Sequence, residues 1–208
     1  MKKIIYAIAC ISLAVMTSCS EAEETAEDNN EVKDTTAVET VEVVETSDAL
    51  PKGWEVTKNE DITYLAVLDS ITMEEMDQMS AKMGADYGKI VTYMTANNIN
   101  FAGAPLTQWM TWDTLSYSVF AAGIPVAPGT VGTEGIEVMT IPSGQALKYT
   151  HFGSYESMES AHMEINDYFA TTGNDAIGGP WEVYITDPGT EADTSKWMSE
   201  IWYPVAGY

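Results

Sequence analysis

Two stretches of the sequence repeat the same order of residue types, and this repeat restricts the chain to a duplicated fold. The segment PLTQWMT, beginning at Pro105, aligns with PWEVYIT, beginning at Pro180. Further along, GIPV from Gly123 aligns with WYPV from Trp202, and the loop from Pro188 to Ser195 absorbs the longer spacing in the second copy. One copy alone would bury its apolar face poorly, so we expect the two copies to pack side by side.

Each copy carries one long helical pattern. Thr72 is a predicted N-cap followed three residues later by Glu75, which is a capping-box arrangement. Methionine, tyrosine and isoleucine then recur every three or four residues from Met73 to Met94. A second pattern follows Ser154 and stops at Gly173. Apolar stripes at this spacing favour packing against a sheet over an exposed contact surface.

Seven short segments rich in β-branched and aromatic residues are predicted strands. They are Ile62–Leu68, Leu106–Trp112, Leu115–Ala122, Ile136–Ile141, Ala146–Phe152, Trp181–Thr186 and Met198–Val205. The order is strand, helix, strand, strand, repeated, with one further strand joining the halves. We therefore predict an α+β fold: a duplicated strand–helix–strand–strand unit that forms an antiparallel sheet, with two long helices on one face and a ligand groove on the other.

The N-terminus has the pattern of an export signal. Lys2 and Lys3 precede an apolar run from Ile4 to Val15, which is too short to span a bilayer but suits a signal-peptide core. Small residues then lead into Cys19, and this ending resembles a bacterial lipoprotein signal. The resemblance implies cleavage before Cys19 and lipidation of the new terminus. An unmodified cysteine near a conventional cleavage site is the alternative.

An acidic segment follows the signal. It contains glutamate, aspartate, threonine and valine but no aromatic residue up to Leu50, so it cannot bury enough apolar surface to fold. We expect residues 1–18 to be a lipoprotein signal peptide, residues 19–52 a disordered tether, and residues 53–208 the folded domain. This organisation predicts a lipid-anchored protein of the bacterial cell envelope, on the periplasmic side or the cell surface.

Charge and cysteine content exclude several classes of function. The chain has 32 Asp and Glu against 9 Lys, no arginine, and a net charge of -23. Nucleic-acid binding depends largely on Lys and Arg, so a nucleic-acid partner is not expected. Cys10 leaves with the signal and Cys19 is the lipidation residue, so the folded part has no cysteine for a disulfide, a thiolate nucleophile or a metal site.

The second copy carries motifs that resemble a known family. Strand Ala146–Phe152, the turn GSY from Gly153, the run GGPWEVYITDP from Gly178 and the closing EIWYPV from Glu200 are similar to the GyrI-like small-molecule-binding domain. This module also occurs fused to AraC-type and MerR-type transcription regulators. The resemblance covers about residues 60–208. It implies a non-enzymatic effector-binding domain, although a helix-turn-helix segment is absent from this sequence.

Glu182 is the principal candidate site residue. The resemblance implies that a groove-buried glutamate meets cationic or polar ligands, and Glu182 falls on that motif position. Alternate side chains of a strand share a face, so Glu182 and Tyr184 point one way and Trp181 and Val183 the other. We take the apolar pair to face the helices and Glu182 to face the groove. The other candidate groove residues are Trp109, Trp112, Tyr117, Glu200, Trp202 and Tyr203.

The two histidines are not assigned to a site. Glu159 and His162 have a Glu-x-x-His spacing, but no second copy exists to complete a di-iron centre, so His162 is interpreted as a surface or packing residue. His151 has no nucleophile motif near it. Nucleophile elbows, phosphate-binding glycine loops and His-x-x-x-His pairs are absent from the sequence. No metal and no cofactor are therefore expected.

Three functions remain open. The first is capture of small amphipathic or cationic aromatic molecules by a membrane-tethered binder, where aromatic faces add cation–π attraction. The second is hydrolysis of small reactive compounds of the cyclopropane type, which the resemblance to stand-alone relatives implies, with Glu182 as general base and Tyr184 orienting the substrate. The third is a protein-interaction module of the envelope. An exposed apolar helix face would favour the third function.

Overall fold

The computed structural model describes residues 49–113 and 115–208. The predicted signal peptide, Cys19 and nearly all of the acidic segment 19–52 lie outside the described residues. Among the described residues, no helix combines the length and the apolar character needed to cross a membrane.

Eight strands form one antiparallel sheet. They are β1 (Trp54–Asn59), β2 (Ile62–Thr72), β3 (Leu106–Thr111), β4 (Tyr117–Pro125), β5 (Glu137–Ile141), β6 (Gly144–Phe152), β7 (Trp181–Tyr184) and β8 (Met198–Pro204). Their order across the sheet is β1-β6-β8-β7-β3-β4-β2-β5. The predicted α+β class and antiparallel sheet are confirmed. Strand β1 was not predicted; its Trp54 is buried against the second helix.

The halves meet where β3 pairs with β7, which we call the seam. Thr107 lies directly opposite Glu182 there, and these residues are equivalent in the repeat. The backbone N–H of Trp109 donates to the Pro180 carbonyl oxygen at 2.9 Å, and the equivalent N–H of Tyr184 donates to Pro105 at 2.9 Å. This reciprocity places a pseudo-twofold axis between Thr107 and Glu182, which confirms the duplication.

Two helices pack on one face of the sheet, which we call the helix face. Helix α1 (Met79–Ala96) continues a 3-10 turn over Met73–Gln78, and Glu75 accepts hydrogen bonds from Thr72 as the capping box predicts. Its residues Ile90 and Met94 are buried against β2 and β4, so the methionine stripe packs on the sheet. Helix α2 (Glu159–Thr172) packs on β6 and β8 and ends at Gly173 in the left-handed region.

The other face of the sheet, the second face, is also buried near the seam. Seven side chains form a core there: Tyr64, Ala66, Leu106, Ala121, Ile141, Ala146 and Trp181. The contact of Ile141 on the edge strand β5 with Ala146 on β6 shows that the sheet curls toward this side. A groove of about 510 Å³ lies next to this core, lined in part by Pro125, Val183 and Trp202.

Candidate functional site

Glu182 faces the helices, and the prediction that it faces away from them is wrong. Its carboxylate contacts His162 of α2, while Trp181 lies in the core of the second face. The prediction failed because both faces of the sheet are buried at the seam, so apolar character alone does not identify the helix face. Tyr184 shares the helix face with Glu182, and Val183 lines the groove on the second face.

The Glu182 carboxylate is buried but fully hydrogen-bonded. Only 6% of the residue is exposed. Trp109 Nε1 donates to Glu182 Oε1 at 3.1 Å, and His162 Nε2 lies 3.0 Å from the same oxygen. Tyr184 Oη donates to Glu182 Oε2 at 2.7 Å. A buried carboxylate is costly unless donors of this kind surround it, and here the donors come from three elements, β3, α2 and β7.

These donors also set the charge of Glu182. Burial raises the pKa of the carboxyl group, but the hydrogen bond and charge of His162, with the hydrogen bonds of Tyr184 and Trp109, outweigh burial and lower it. Burial and the nearby carboxylate raise the pKa of Tyr184 well above its ordinary value. At neutral pH the site therefore holds one ionised carboxylate beside a protonated phenol.

His162 links two strands of the sheet. Its Nε2 faces Glu182 on β7, and its Nδ1 lies 2.8 Å from Tyr203 Oη on β8. The sequence analysis assigned His162 no role at the site. The sequence does contain an indication that His162 faces the sheet, because Met158, His162, Ile165 and Phe169 follow helical spacing and so lie on one side of the helix. In the structure, the other three of these residues are buried.

Aromatic side chains surround the carboxylate on the helix face. The ring of Tyr184 lies 4.9 Å from Tyr155 and 6.5 Å from Tyr87 of α1. Tyr155 in turn lies 4.9 Å from Trp197. The sequence analysis placed Tyr87 and Tyr155 on apolar helix stripes without assigning them to a ligand site. We call Glu182, His162, Trp109, Tyr184 and Tyr203 the carboxylate site.

The first half of the repeat carries a neutral version of the same contact. Tyr87 on α1 is equivalent to His162 on α2, with the same offset in residue number as between Thr107 and Glu182. Tyr87 Oη lies 2.9 Å from Thr107 Oγ1 and donates to the Leu106 carbonyl oxygen at 2.8 Å. One half thus joins helix to seam through two hydroxyl groups, and the other through a carboxylate and an imidazole.

The predicted wall residues divide between two faces. Trp109, Tyr184 and Tyr203 belong to the carboxylate site. Trp112 is 56% exposed and packs edge-on against Trp109 at 4.9 Å, so it lies just outside the site. Tyr117 is exposed at the start of β4.

Glu200 and Trp202 lie on the second face instead. Trp202 stacks on Trp181 with ring centroids 5.6 Å apart, and its Nε1 donates to Glu200 Oε2 at 3.1 Å. Lys148 Nζ lies 3.7 Å from Glu200 Oε1 and 5.4 Å from the Trp202 ring. Glu200 and Trp202 line the groove of the second face, as predicted, but Glu182 lies on the opposite face of the sheet and does not share this groove with them. The predicted single groove site is two separate places, one on each face.

The family comparison matches the C-terminal half of the chain. Residues 107–206 match the model of the GyrI-like small molecule binding domain. No curated protein sequence matches the chain.

Solved structures share the fold. The C-terminal domain of EcmrR matches with a TM-score of 0.61 and 16% identity over 74% of this chain and 98% of that domain. SAV2435 bound to tetraphenylphosphonium matches with a TM-score of 0.56 and 12% identity over 74% of this chain and 94% of that protein.

A longer protein contains the same fold as one of its parts. EcmrR in a complex with DNA matches with a TM-score of 0.64 and 17% identity over 73% of this chain, but the match spans only 56% of the EcmrR chain. The family match lies over the half of the repeat that holds Glu182, and the sheet and both helices agree with the fold of these structures. Over residues 107–206, this chain is therefore similar to the GyrI-like small molecule binding domain, and its fold is that of these structures.

Proposed function

We propose that the domain captures small amphipathic or cationic aromatic molecules at the seam, with the Glu182 carboxylate as the anionic group that attracts them. The observation that carries this proposal is an ionised carboxylate, almost fully buried, with aromatic rings around it. A buried negative charge attracts a cation strongly, because little water competes for it. The faces of Trp and Tyr rings add cation–π attraction.

The ligand class follows from the composition of the site. Trp109 and Tyr184 use their polar atoms on Glu182, and their rings pack with other aromatic rings, so the surroundings of the carboxylate are aromatic. An aromatic cation would meet both the rings and the charge. SAV2435, which shares the fold, was solved with tetraphenylphosphonium, a cation of this class. That compound is therefore a suitable probe.

The binding test compares one carboxylate on each face. We expect the purified full chain to bind tetraphenylphosphonium in a calorimetric titration. The substitution Glu182→Gln keeps the size of the side chain and removes its charge, so affinity should fall about tenfold or more. Glu200→Gln is the matched control and should bind like the unaltered protein, since Glu200 lies on the second face.

Two results would contradict the proposal. Equal affinity in the unaltered chain and the Glu182→Gln variant would remove the carboxylate from recognition. Loss of affinity in Glu200→Gln alone would move the ligand to the groove on the second face. A probe that is consumed with time, instead of being retained in a fixed ratio, would indicate an enzyme.

We also propose that the chain is anchored to a bacterial membrane through lipid on Cys19 and works in the cell envelope. Support comes from the sequence alone: the short apolar run to Val15 ends in small residues before Cys19, and an acidic segment follows. Cys19→Ala should move the protein from the membrane fraction to the soluble fraction and abolish fatty-acid labelling. A variant that stays labelled and membrane-bound would exclude this anchor.

A further inference from the structure

We propose that His162 is an internal competitor for the Glu182 carboxylate, so that a cationic ligand binds by displacing the imidazole, and binds more weakly when the imidazole is protonated. This inference rests on the proposed capture of cations at the carboxylate site. It adds a specific role for one residue and a dependence on pH.

The first support is the position of the imidazole. His162 Nε2 lies 3.0 Å from Glu182 Oε1, at the distance that a ligand's positive group would need. The other carboxylate oxygen is held by Tyr184 at 2.7 Å. Both oxygens therefore already have close donors. Of these donors, His162 is the one that carries a charge when protonated, so it competes directly with a cation.

The second support is the comparison between the halves of the repeat. At the equivalent position of the first half, Tyr87 and Thr107 join the helix to the seam through neutral hydroxyl groups 2.9 Å apart. The fold therefore does not require an ionic pair at this position. Replacement of a buried ion pair by neutral groups often leaves the stability of a protein unchanged or raises it. The charged His162–Glu182 pair is therefore not needed for stability, and a role in binding would explain why it is present.

The third support is that the imidazole can move. About one fifth of the His162 side chain is exposed, against 8% of the Glu182 side chain, so its outer part already reaches the surface. Its second partner, Tyr203 Oη, also lies on the sheet. A change of rotamer would break both contacts and turn the imidazole toward water without moving the backbone.

Replacement of the imidazole by a ligand cation also moves a proton. When a ligand cation replaces a protonated imidazole at Glu182, the cation takes over the positive charge beside the carboxylate, and the imidazole, turned toward water without its anionic partner, releases its proton to the solvent. Histidine side chains as a class change charge between about pH 5 and 8, so the competition is tested across that range. Below it, the protonated imidazole neutralises the carboxylate and opposes a second cation.

Two titratable groups contact the imidazole directly: Glu182, whose pKa is lowered, and Tyr203, whose pKa is raised by burial. Next to Glu182 lies Tyr184, which contacts Tyr87, and burial raises the pKa values of both. On its own helix, Glu159 lies one turn before His162.

The test measures tetraphenylphosphonium binding to the full chain at pH 5.5 and at pH 8.0. Affinity should be about tenfold higher at pH 8.0, within the range of coupling between two bound species. In His162→Gln, an amide that does not titrate replaces the imidazole, and affinity should be the same at both pH values. Titrations in buffers with different ionisation enthalpies should show proton release on binding from the unaltered chain and none from His162→Gln.

His151→Gln is the matched control, because His151 and His162 are the two histidines of the sequence. His151 contacts Ser157 and lies away from Glu182, so this variant should keep the pH dependence. Equal affinity of the unaltered chain at both pH values, or a pH dependence that persists in His162→Gln, would overturn the inference while leaving capture by Glu182 intact. No binding by the unaltered chain or by His162→Gln at either pH would overturn the proposed function itself.

Discussion

Replacing Gly179 with alanine is expected to remove about 3 kcal/mol or more from the free energy of unfolding, because the new methyl group would overlap the backbone at the seam. A Cβ atom at Gly179 would lie 1.9 Å from the carbonyl oxygen of Trp109. That atom is rigid main chain next to the Trp109 N–H, which donates to Pro180 at 2.9 Å. The strands at the seam would have to separate to accept the substitution.

The neighbouring glycine provides the control. A Cβ atom at Gly178 would lie 3.5 Å from Pro204 Cγ, an ordinary contact. Gly178→Ala should therefore change the unfolding free energy by less than about 1 kcal/mol. Urea unfolding followed by tryptophan fluorescence measures both variants. If Gly179→Ala proved as stable as Gly178→Ala, β3 and β7 would not approach each other as closely as described here.

The second large effect is expected from His162→Leu, which should cost about 3 kcal/mol of unfolding free energy at pH 7.5, because it leaves a buried carboxylate without one of its close hydrogen-bond partners. Trp109 and Tyr184 would still donate to Glu182. These neutral donors replace only part of the lost interaction. The double variant His162→Leu with Glu182→Gln should recover most of the loss, since it no longer buries a charge.

The dependence of stability on pH should change sign in this variant. In the unaltered chain the folded-state pKa of Glu182 is lowered, so the site stabilises the fold above the unfolded-state pKa and this contribution is lost as pH falls through the folded-state pKa. Without His162, burial would raise the pKa of Glu182. The variant would then gain stability relative to the unaltered chain as pH falls toward 5. Parallel pH profiles for the two proteins would contradict this account.

The features of the fold that depend on repetition and periodicity could be predicted from the sequence. The alignment of Pro105 with Pro180 predicted the duplication, and the capping box at Thr72 predicted where the first helical segment begins. Both signals are local, or compare the chain with itself. Strand β1 was missed because it lies at the edge of the sheet, where Trp54 is its one buried apolar residue and the other buried position is the polar Asn59.

The face occupied by Glu182 could not be predicted from alternation. A strand with one buried face shows which side is the core, but β7 is covered on both sides: Trp181 is fully buried on the second face, and Glu182 is buried on the helix face. In a strand that is buried on both sides, a polar side chain lies on the face where other residues can donate hydrogen bonds to it. Those donors come from Trp109, His162 and Tyr184, and only the folded chain brings the first two to Glu182.

The role of His162 depends on the same long-range contact. Its position on the buried stripe of α2 could be read from the spacing with Ile165, but its partner lies on a different strand. The repeat contained further information. Aligning the helices as well as the strands places His162 over Tyr87 and Glu182 over Thr107, so the two differences between the halves fall on one contact.

The two equivalent contacts at the pseudo-twofold axis, Tyr87 with Thr107 and His162 with Glu182, differ in charge. For the proposed capture, this difference limits how many molecules one chain holds. A perfectly symmetric seam would offer two identical sites, or one site that accepts a ligand in either of two directions. Here only the second half supplies a negative charge, and the first half supplies hydroxyl groups in its place. A molecule with one charged end, captured as proposed, would therefore meet one charged and one neutral side at the seam, which favours a stoichiometry of one and a single orientation.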